Sequence, residues 1–167
     1  MVQAGGNCGF YVKQYAKLFQ RVYTFEPDPV NFYCLTVNIT DHNVIKSQSC
    51  LGHDHGLLDL TSNQKNVGKN HVCRDNARYP TVMIDDLALD RCDLIHLDIE
   101  GYEYYALLGA QKTIDQHGPV IVVEVWDQLN DRYETNINSK MEKWLTDRGY
   151  VFTEVIGEAD RVYKLNK

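Results

Sequence analysis

The sequence lacks several features that would assign it to particular protein classes. No apolar run approaches the ~20 residues of a membrane-spanning helix. The five cysteines are odd in number and include no CxxC pair, which does not suit a disulfide framework. The first residues, MVQAG, contain no basic side chain and do not resemble a signal peptide. These absences predict a soluble, cytoplasmic protein with reduced thiols and no membrane association.

Basic residues are also fewer than acidic ones. The chain has 17 Lys and Arg against 23 Asp and Glu, which gives a formal net charge of -6 at pH 7. An acidic surface repels the phosphate backbone of nucleic acids. Nucleic acid is therefore disfavoured as a partner, and a small-molecule acceptor is favoured.

A recognisable zinc-binding spacing is missing as well. Metal-ligand residue types cluster in one short stretch, at Cys50, His53, His55, His71 and Cys73. Their spacing follows no zinc pattern, and solvated histidines are common in Gly- and Asn-rich loops. The sequence therefore predicts no metal site.

The chain begins with a strand, a glycine-rich turn and a helix. A short apolar segment at residues 1–4 leads into GGNCG at 5–9 and then into a helical pattern. Glycines let the backbone pass close to a ligand, and the free N–H groups that open a helix attract polar groups. The next strand, residues 21–25, ends at Glu26, about 20 residues after the glycines, where Rossmann-like proteins bind ribose hydroxyls. The two features together predict a nucleotide-type cofactor site.

Acidic residues follow the apolar run at residues 93–97. The run stops abruptly at Asp98, Glu100 and Gly101, which is typical of a buried parallel strand that delivers carboxylates to the ligand-binding edge of a sheet. A carboxylate or an imidazole there can accept a hydroxyl proton. Asp98 is the first candidate for this base and His96 the second. A helix-capping role for Asp98 and a packing role for His96 are the alternatives.

The remaining patterns predict an α/β protein with one domain over residues 1–167. Further strands are predicted at residues 44–49, 57–60, 81–84 and 120–125. Helices are predicted at 28–39, through Leu107, Ala110 and Ile114, and from a capping box at 139–142. Residues 61–79 are expected to form a mobile loop that is either a lid or surface decoration. Two last strands, at 150–156 and 161–165, predict an antiparallel hairpin at the end of a mostly parallel sheet.

Six segments together resemble the FkbM family of S-adenosylmethionine-dependent methyltransferases, in the same order. They are AGGNCG at 4–9, VYTFEPDP at 22–29, LG at 51–52, IDDL at 84–87, DLIHLDIEG at 93–101 and GA at 109–110. The resemblance implies a Rossmann-like class I methyltransferase fold, with a mostly parallel seven-stranded sheet and a reversed last strand. The chain would be a minimal version of that domain, lacking N-terminal cover helices.

The resemblance also implies S-adenosyl-L-methionine as cofactor and a set of site residues. The methionine end would lie against the glycine turn, at Gly5, Gly6, Asn7 and Gly9. The adenine would be flanked by the residues after the third strand, Ser49, Cys50 and Leu51. Glu26 would hold the ribose, and Asp98 and Glu100 would face the methyl group and the acceptor.

The favoured function is O-methylation of a hydroxyl on a sugar or other small acceptor. Methyl transfer from a sulfonium depends mainly on proximity and alignment, so few side chains need to react. The DIEG sequence at 98–101 departs from the (Asp/Asn/Ser)-Pro-Pro-aromatic turn of nucleic-acid amino-methyltransferases. The alternatives are a scaffolding protein that keeps the fold without turnover, and a methyltransferase of nucleic acid or protein. A nicotinamide oxidoreductase is disfavoured, because it needs the motif GxGxxG and the GGNCG segment at 5–9 does not supply it. Tyr102, Tyr104 and Tyr105 are expected to be exposed, and the protein to be a monomer or homodimer.

Overall fold

Strands and helices alternate along most of the chain. The computed structural model describes residues 1–61, 71–73 and 77–166. The first elements are β1 (Val2–Ala4), α1 (Phe10–Leu18), β2 (Val22–Phe25), α2 (Pro29–Asn38), β3 (Val44–Ser47), β4 (Cys50–Leu51), β5 (Gly56–Thr61), β6 (His71–Cys73) and β7 (Tyr79–Val82). They are followed by a 3-10 helix (Ile84–Leu87), β8 (Leu94–Leu97), α3 (Glu103–Leu108), α4 (Gln111–His117), β9 (Val120–Glu124), a second 3-10 helix (Asp127–Leu129), α5 (Ile137–Asp147), β10 (Tyr150–Ile156) and β11 (Asp160–Leu165).

Seven strands form the central sheet, in the order β10-β11-β9-β8-β1-β2-β3. The pairs β1–β2, β1–β8, β2–β3 and β8–β9 are parallel, whereas β11 runs antiparallel to both of its neighbours. This arrangement confirms the predicted mostly parallel seven-stranded sheet with an antiparallel C-terminal hairpin. It also brings the carboxyl ends of β1, β2 and β8 to the same edge of the sheet.

The central strands are buried because apolar side chains occupy both of their faces. Val2, Ile95, Leu97, Ile121 and Val123 are all completely buried in the main core. Burial of each such side chain contributes roughly 1.5–3 kcal/mol to folding. The sheet edge is therefore a rigid base for the polar groups that follow it. None of the described helices is long and apolar enough to cross a membrane.

A smaller sheet of four strands, in the order β4-β7-β5-β6, lies beside the central one. Its residues Cys50, Leu58 and Val72 form a separate apolar cluster with Tyr102. The prediction of one uninterrupted loop at residues 61–79 is wrong, since His71–Cys73 pairs antiparallel with β5 and Tyr79 begins β7. The proposed lid falls largely on residues 62–70 and 74–76, which lie outside the described residues.

Two helix predictions also need correction. The helix predicted through Leu107, Ala110 and Ile114 is two helices, α3 and α4, with a break at Gly109. At this break the Gly109 carbonyl accepts a hydrogen bond from the Asp85 N–H at 2.9 Å, and a Cβ on Gly109 would lie 1.9 Å from the carbonyl oxygen of Gly52. The helix expected to start at the 139–142 capping box begins earlier, at Ile137, with Asn136 before it in a left-handed conformation (φ 59).

Candidate active site

A cavity of about 290 Å³ lies at the carboxyl ends of β1, β2 and β8. Open α/β sheets bind their ligands at this edge. The cavity wall includes most residues expected to bind the cofactor: Gly5, Gly6, Asn7, Glu26, Ser49, Cys50, Leu51 and Asp98. Glu100 also lines it, whereas Gly9 and His96 are not among the described residues of its wall. The structure thus brings together groups that lie far apart in the sequence.

The glycine turn is pressed against the ends of two strands. The N–H groups of Gly5 and Gly6 both donate to the Phe25 carbonyl, at 3.1 and 3.0 Å. Gly5 has a φ of +81, and a Cβ on it would lie 1.9 Å from the carbonyl oxygen of Asp98. Only glycine therefore allows the turn to reach the Asp98 backbone. Gly9 precedes α1, and a Cβ there would lie 2.7 Å from the side chain of Ile39, which follows the last residue of α2.

Gln3 braces this turn from within the core, a role that its position in an apolar strand did not reveal. The side chain is fully buried, and its amide nitrogen donates to the carbonyls of Ala4 and Gly5 at 3.0 and 2.9 Å. Its amide oxygen accepts a hydrogen bond from the Thr24 hydroxyl at 2.6 Å. A neutral side chain therefore fixes the turn without placing a further charge beneath the cavity.

Glu26 is held rigidly at the end of β2. Its Oε2 accepts the Asn7 N–H at 2.7 Å, and its Oε1 accepts the Asp28 N–H at 2.9 Å. Burial raises the pKa of Glu26, and the two N–H donors oppose that rise. Each carboxylate oxygen has a further lone pair to accept a hydrogen bond. Two backbone N–H groups and the Asn31 side chain therefore hold the Glu26 carboxylate at the wall of the cavity.

Asp98 belongs to a cluster of carboxyl groups at the ends of β8 and β9. Burial, followed by the negative charges of Glu124 and Glu103, raises the pKa of Asp98 to about 8. Burial also raises the pKa of Glu103 to about 7, although this side chain accepts the N–H groups of Ile99 and Gly101 at 2.9 and 3.2 Å. In the part of the chain that the structure describes, no group of three or more His, Cys, Asp or Glu is arranged to hold a metal ion. The cluster holds protons near neutral pH and can exchange them there.

Glu100 is tied to a segment far along the chain. It has a φ of 59, and Arg132 donates to its backbone carbonyl at 2.6 Å while lying 3.5 Å from its carboxylate. Both side chains are largely buried. Arg132 therefore fixes the turn that follows Asp98, an interaction that sequence reasoning missed because no local pattern links the two segments.

His96 lies beneath the cavity, not in its wall. It is 2% exposed, and its Nδ1 is 2.8 Å from the Tyr15 hydroxyl. The rings of Tyr11 and Tyr15 contact it edge-on, with centroids 5.5 and 5.7 Å away. Burial lowers the pKa of His96, which keeps the ring neutral. This environment supports the packing interpretation over direct proton transfer from an acceptor.

Comparisons with known proteins agree with this geometry. The FkbM methyltransferase of Methylobacillus flagellatus matches with a TM-score of 0.65 and 19% identity over 98% of this chain, which spans only 42% of the length of that protein. Aeropyrum pernix fibrillarin, solved with natively bound S-adenosyl-L-methionine, matches with a TM-score of 0.54 and 10% identity. The match covers 98% of this chain and 64% of the fibrillarin chain. A putative rRNA methylase of Clostridium thermocellum matches with a TM-score of 0.55 and 14% identity. The match covers 99% of this chain and 87% of the rRNA methylase chain.

These likenesses show the class I methyltransferase fold. A search of curated proteins gave no match. The model of the methyltransferase FkbM domain matches residues 4–152, which is most of the chain and includes the glycine turn, Glu26 and Asp98. The chain therefore belongs to the FkbM family of S-adenosylmethionine-dependent methyltransferases.

Proposed function

We propose that this protein transfers a methyl group from S-adenosyl-L-methionine to a hydroxyl of a sugar or other small acceptor. The observation that carries the proposal is the position of Asp98, a carboxyl group at the edge of the cavity whose pKa is raised to about 8. A group with that pKa is suited to accept a hydroxyl proton near neutral pH.

The residues of the cavity suit the cofactor. Glu26 is fixed at the wall and keeps lone pairs that can accept a ribose hydroxyl, and Ser49, Cys50 and Leu51 line the part of the wall where the adenine would lie. The glycine turn supplies backbone groups close to the amino-acid end of the ligand. When bound, the cofactor supplies an electrophilic methyl group on a positively charged sulfur. Glu100, and Asp98 once it has ionised, would favour that positive charge at the cavity edge.

Asp98 acts in this proposal as the proton acceptor. Asp98, as the carboxylate, would take the proton of the acceptor hydroxyl while the methyl carbon exchanges its bond to the cofactor sulfur for a bond to the acceptor oxygen, which would leave S-adenosylhomocysteine. The neighbouring Glu124 raises the proton affinity of Asp98 through like-charge repulsion. Glu100, held by Arg132, orients the turn on the acceptor side.

The test is the pH dependence of methyl transfer from labelled S-adenosyl-L-methionine to a panel of neutral hydroxylated acceptors. Because kcat/KM reports the pKa of the free enzyme, it should rise as pH increases and level off above the Asp98 pKa of about 8. Asp98→Asn should lower kcat roughly 100-fold or more and remove that pH dependence.

Asp93→Asn is the matched control, because Asp93 precedes the same strand at its opposite end and pairs with Arg91 at 2.7 Å. This variant should behave like the unmodified protein. Full activity of Asp98→Asn, with an unchanged pH profile, would contradict the assignment of Asp98 as the base.

A further inference from the structure

A second cavity of about 500 Å³ adjoins the first. Val72 and Tyr102 line both cavities, so the two share a wall. The remaining wall of the second cavity includes Leu58 on the small sheet and Tyr105, Arg132 and Tyr133 on the other side. The shared wall lies four residues beyond Asp98 and close to the edge where methyl transfer is proposed to occur. A ligand in the second cavity would therefore lie next to the cavity that Asp98 lines.

Three tyrosine rings dominate this second cavity. The Tyr102 ring lies 4.7 Å from Tyr105, tilted by 32°, and 5.1 Å from Tyr133 in an edge-on arrangement. Tyr102 is only 4% exposed, which corrects the expectation that it is an exposed aromatic. Tyrosines combine an apolar ring face with a hydroxyl that donates and accepts hydrogen bonds. Such a wall suits a ligand that is itself a ring with hydroxyl groups.

The Tyr133 hydroxyl supports this interpretation. It is buried next to the Arg132 guanidinium, yet it makes no hydrogen bond of regular geometry with any described residue. Buried polar groups in folded proteins are normally paired. The Arg132 guanidinium can only donate to this oxygen, so a hydroxyl of a bound ligand would supply the acceptor that the Tyr133 proton lacks among the described residues.

The charges around the second cavity limit what it can bind. Arg132 is already engaged by Glu100, through both the carboxylate and the backbone carbonyl. The carboxyl cluster that includes Asp98 and Glu103 lies just beyond Tyr102. Among the described residues of the wall there is no Lys and no second Arg, so an anionic ligand would have to compete with Glu100 for Arg132. The cavity therefore favours a neutral ligand.

We propose that the second cavity is the acceptor subsite and that it binds a neutral hexose ring packed against the tyrosine wall at Tyr105, with the Tyr133 hydroxyl bonded to a sugar hydroxyl. This assignment rests on the proposed function, since it places the acceptor of that same reaction. It makes Tyr105 and Tyr133 specificity-determining residues, and it sets the acceptor apart from the nucleotide side of the first cavity.

The test is an NMR titration of the isotopically labelled protein with methyl β-D-glucopyranoside, with methyl β-D-glucuronide as the anionic counterpart. S-adenosylhomocysteine binding is measured on the same samples by calorimetry. The neutral glycoside should shift the amide signals around Tyr105 and Tyr133, and Tyr105→Ala should weaken its binding about tenfold. Tyr133→Phe, which removes only the hydroxyl, should also weaken it, and the glucuronide should bind less tightly than the glucoside.

Tyr104→Ala is the matched control, because Tyr104 lies on the same helix and its ring contacts Tyr105 and Trp144, but it is not among the described residues that line the cavity. It should leave glycoside binding unchanged. The inference is overturned if S-adenosylhomocysteine binds while the glycoside shifts no signal near these tyrosines, if Tyr105→Ala binds it as tightly as Tyr104→Ala, or if the glucuronide binds more tightly. Failure of S-adenosylhomocysteine to bind would instead overturn the proposed function, and the acceptor assignment with it.

Discussion

Gly5 allows the glycine turn to lie directly against the backbone of Asp98. Its left-handed backbone and the close approach of Asp98 both exclude a side chain. Gly5→Ala should lower the free energy of unfolding by more than the roughly 1–2 kcal/mol that backbone strain alone costs an alanine, because the added Cβ also collides with the Asp98 carbonyl. Urea denaturation of the purified variant measures this loss.

The Gly157→Ala variant is the control that separates the cost of backbone strain from the cost of a steric clash. Gly157 also has a positive φ, of +64, but a Cβ there would have no neighbour within 4 Å. This control should show the strain cost alone. Equal losses in the two variants would mean that the contact between the glycine turn and Asp98 is not tight, and that the geometry of the site does not depend on it.

Sequence reasoning located site residues where a local pattern marks them. Glu26 and Asp98 end apolar strands, and parallel strands meet at one edge, so their convergence on the cavity followed from the fold. Arg132 and Tyr133 carry no such mark, because they lie in an irregular segment and reach the site only through tertiary packing. The role of Gln3 was hidden for a similar reason, since its partners are backbone groups of the next turn.

At the level of elements, the α2 helix is anchored by its N-cap. The Asp28 carboxylate accepts the N–H groups of Val30 and Asn31, both at 2.9 Å, and Pro29 occupies the first helical position. Asp28→Ala should lower the free energy of unfolding by about 1 kcal/mol because these N–H groups lose their partner. Asp28→Asn keeps an accepting oxygen and should cost much less. Chemical denaturation of both variants checks this, and equal losses would contradict the capping role.

Elements with a strong local signal were predicted well, and those set by tertiary contacts were not. The Asp28–Pro29 start of α2 and the terminal hairpin follow from cap and turn chemistry, and the structure confirms both. The strand His71–Cys73 has no turn signals around it and exists through its pairing with β5. The break between α3 and α4 likewise depends on a contact of Gly109 with the distant residues Asp85 and Gly52.

On the scale of the whole molecule, the carboxyl cluster links stability to pH. Folding raises the pKa of Asp98 from 3.8 to about 8 and that of Glu103 from 4.5 to about 7. Between about pH 4 and pH 8 the folded protein therefore holds protons that the unfolded chain releases, so these groups make stability fall as pH rises through that window. Asparagine cannot ionise, so the Asp98→Asn variant should lose less stability than the unmodified protein as the pH rises.

Denaturation curves recorded at several pH values test this linkage. Asp98→Asn should gain stability relative to the unmodified protein as the pH approaches 8, whereas Asp93→Asn should follow the unmodified protein throughout. Parallel pH profiles for all three proteins would show that Asp98 is not buried among like charges.

The central claim is that the cavity at the ends of β1, β2 and β8 is the cofactor site. Calorimetric titration with S-adenosylhomocysteine and, separately, with NADH tests it most directly, on the unmodified protein, on Glu26→Ala and on the exposed-residue control Glu158→Ala. We predict binding of S-adenosylhomocysteine only, weakened at least about tenfold in Glu26→Ala by the loss of charge-assisted hydrogen bonds, and unchanged in Glu158→Ala. Equal binding by Glu26→Ala would contradict the placement of the ribose at Glu26, and absence of binding would contradict the cofactor site itself and favour a scaffolding protein that keeps the methyltransferase fold without turnover.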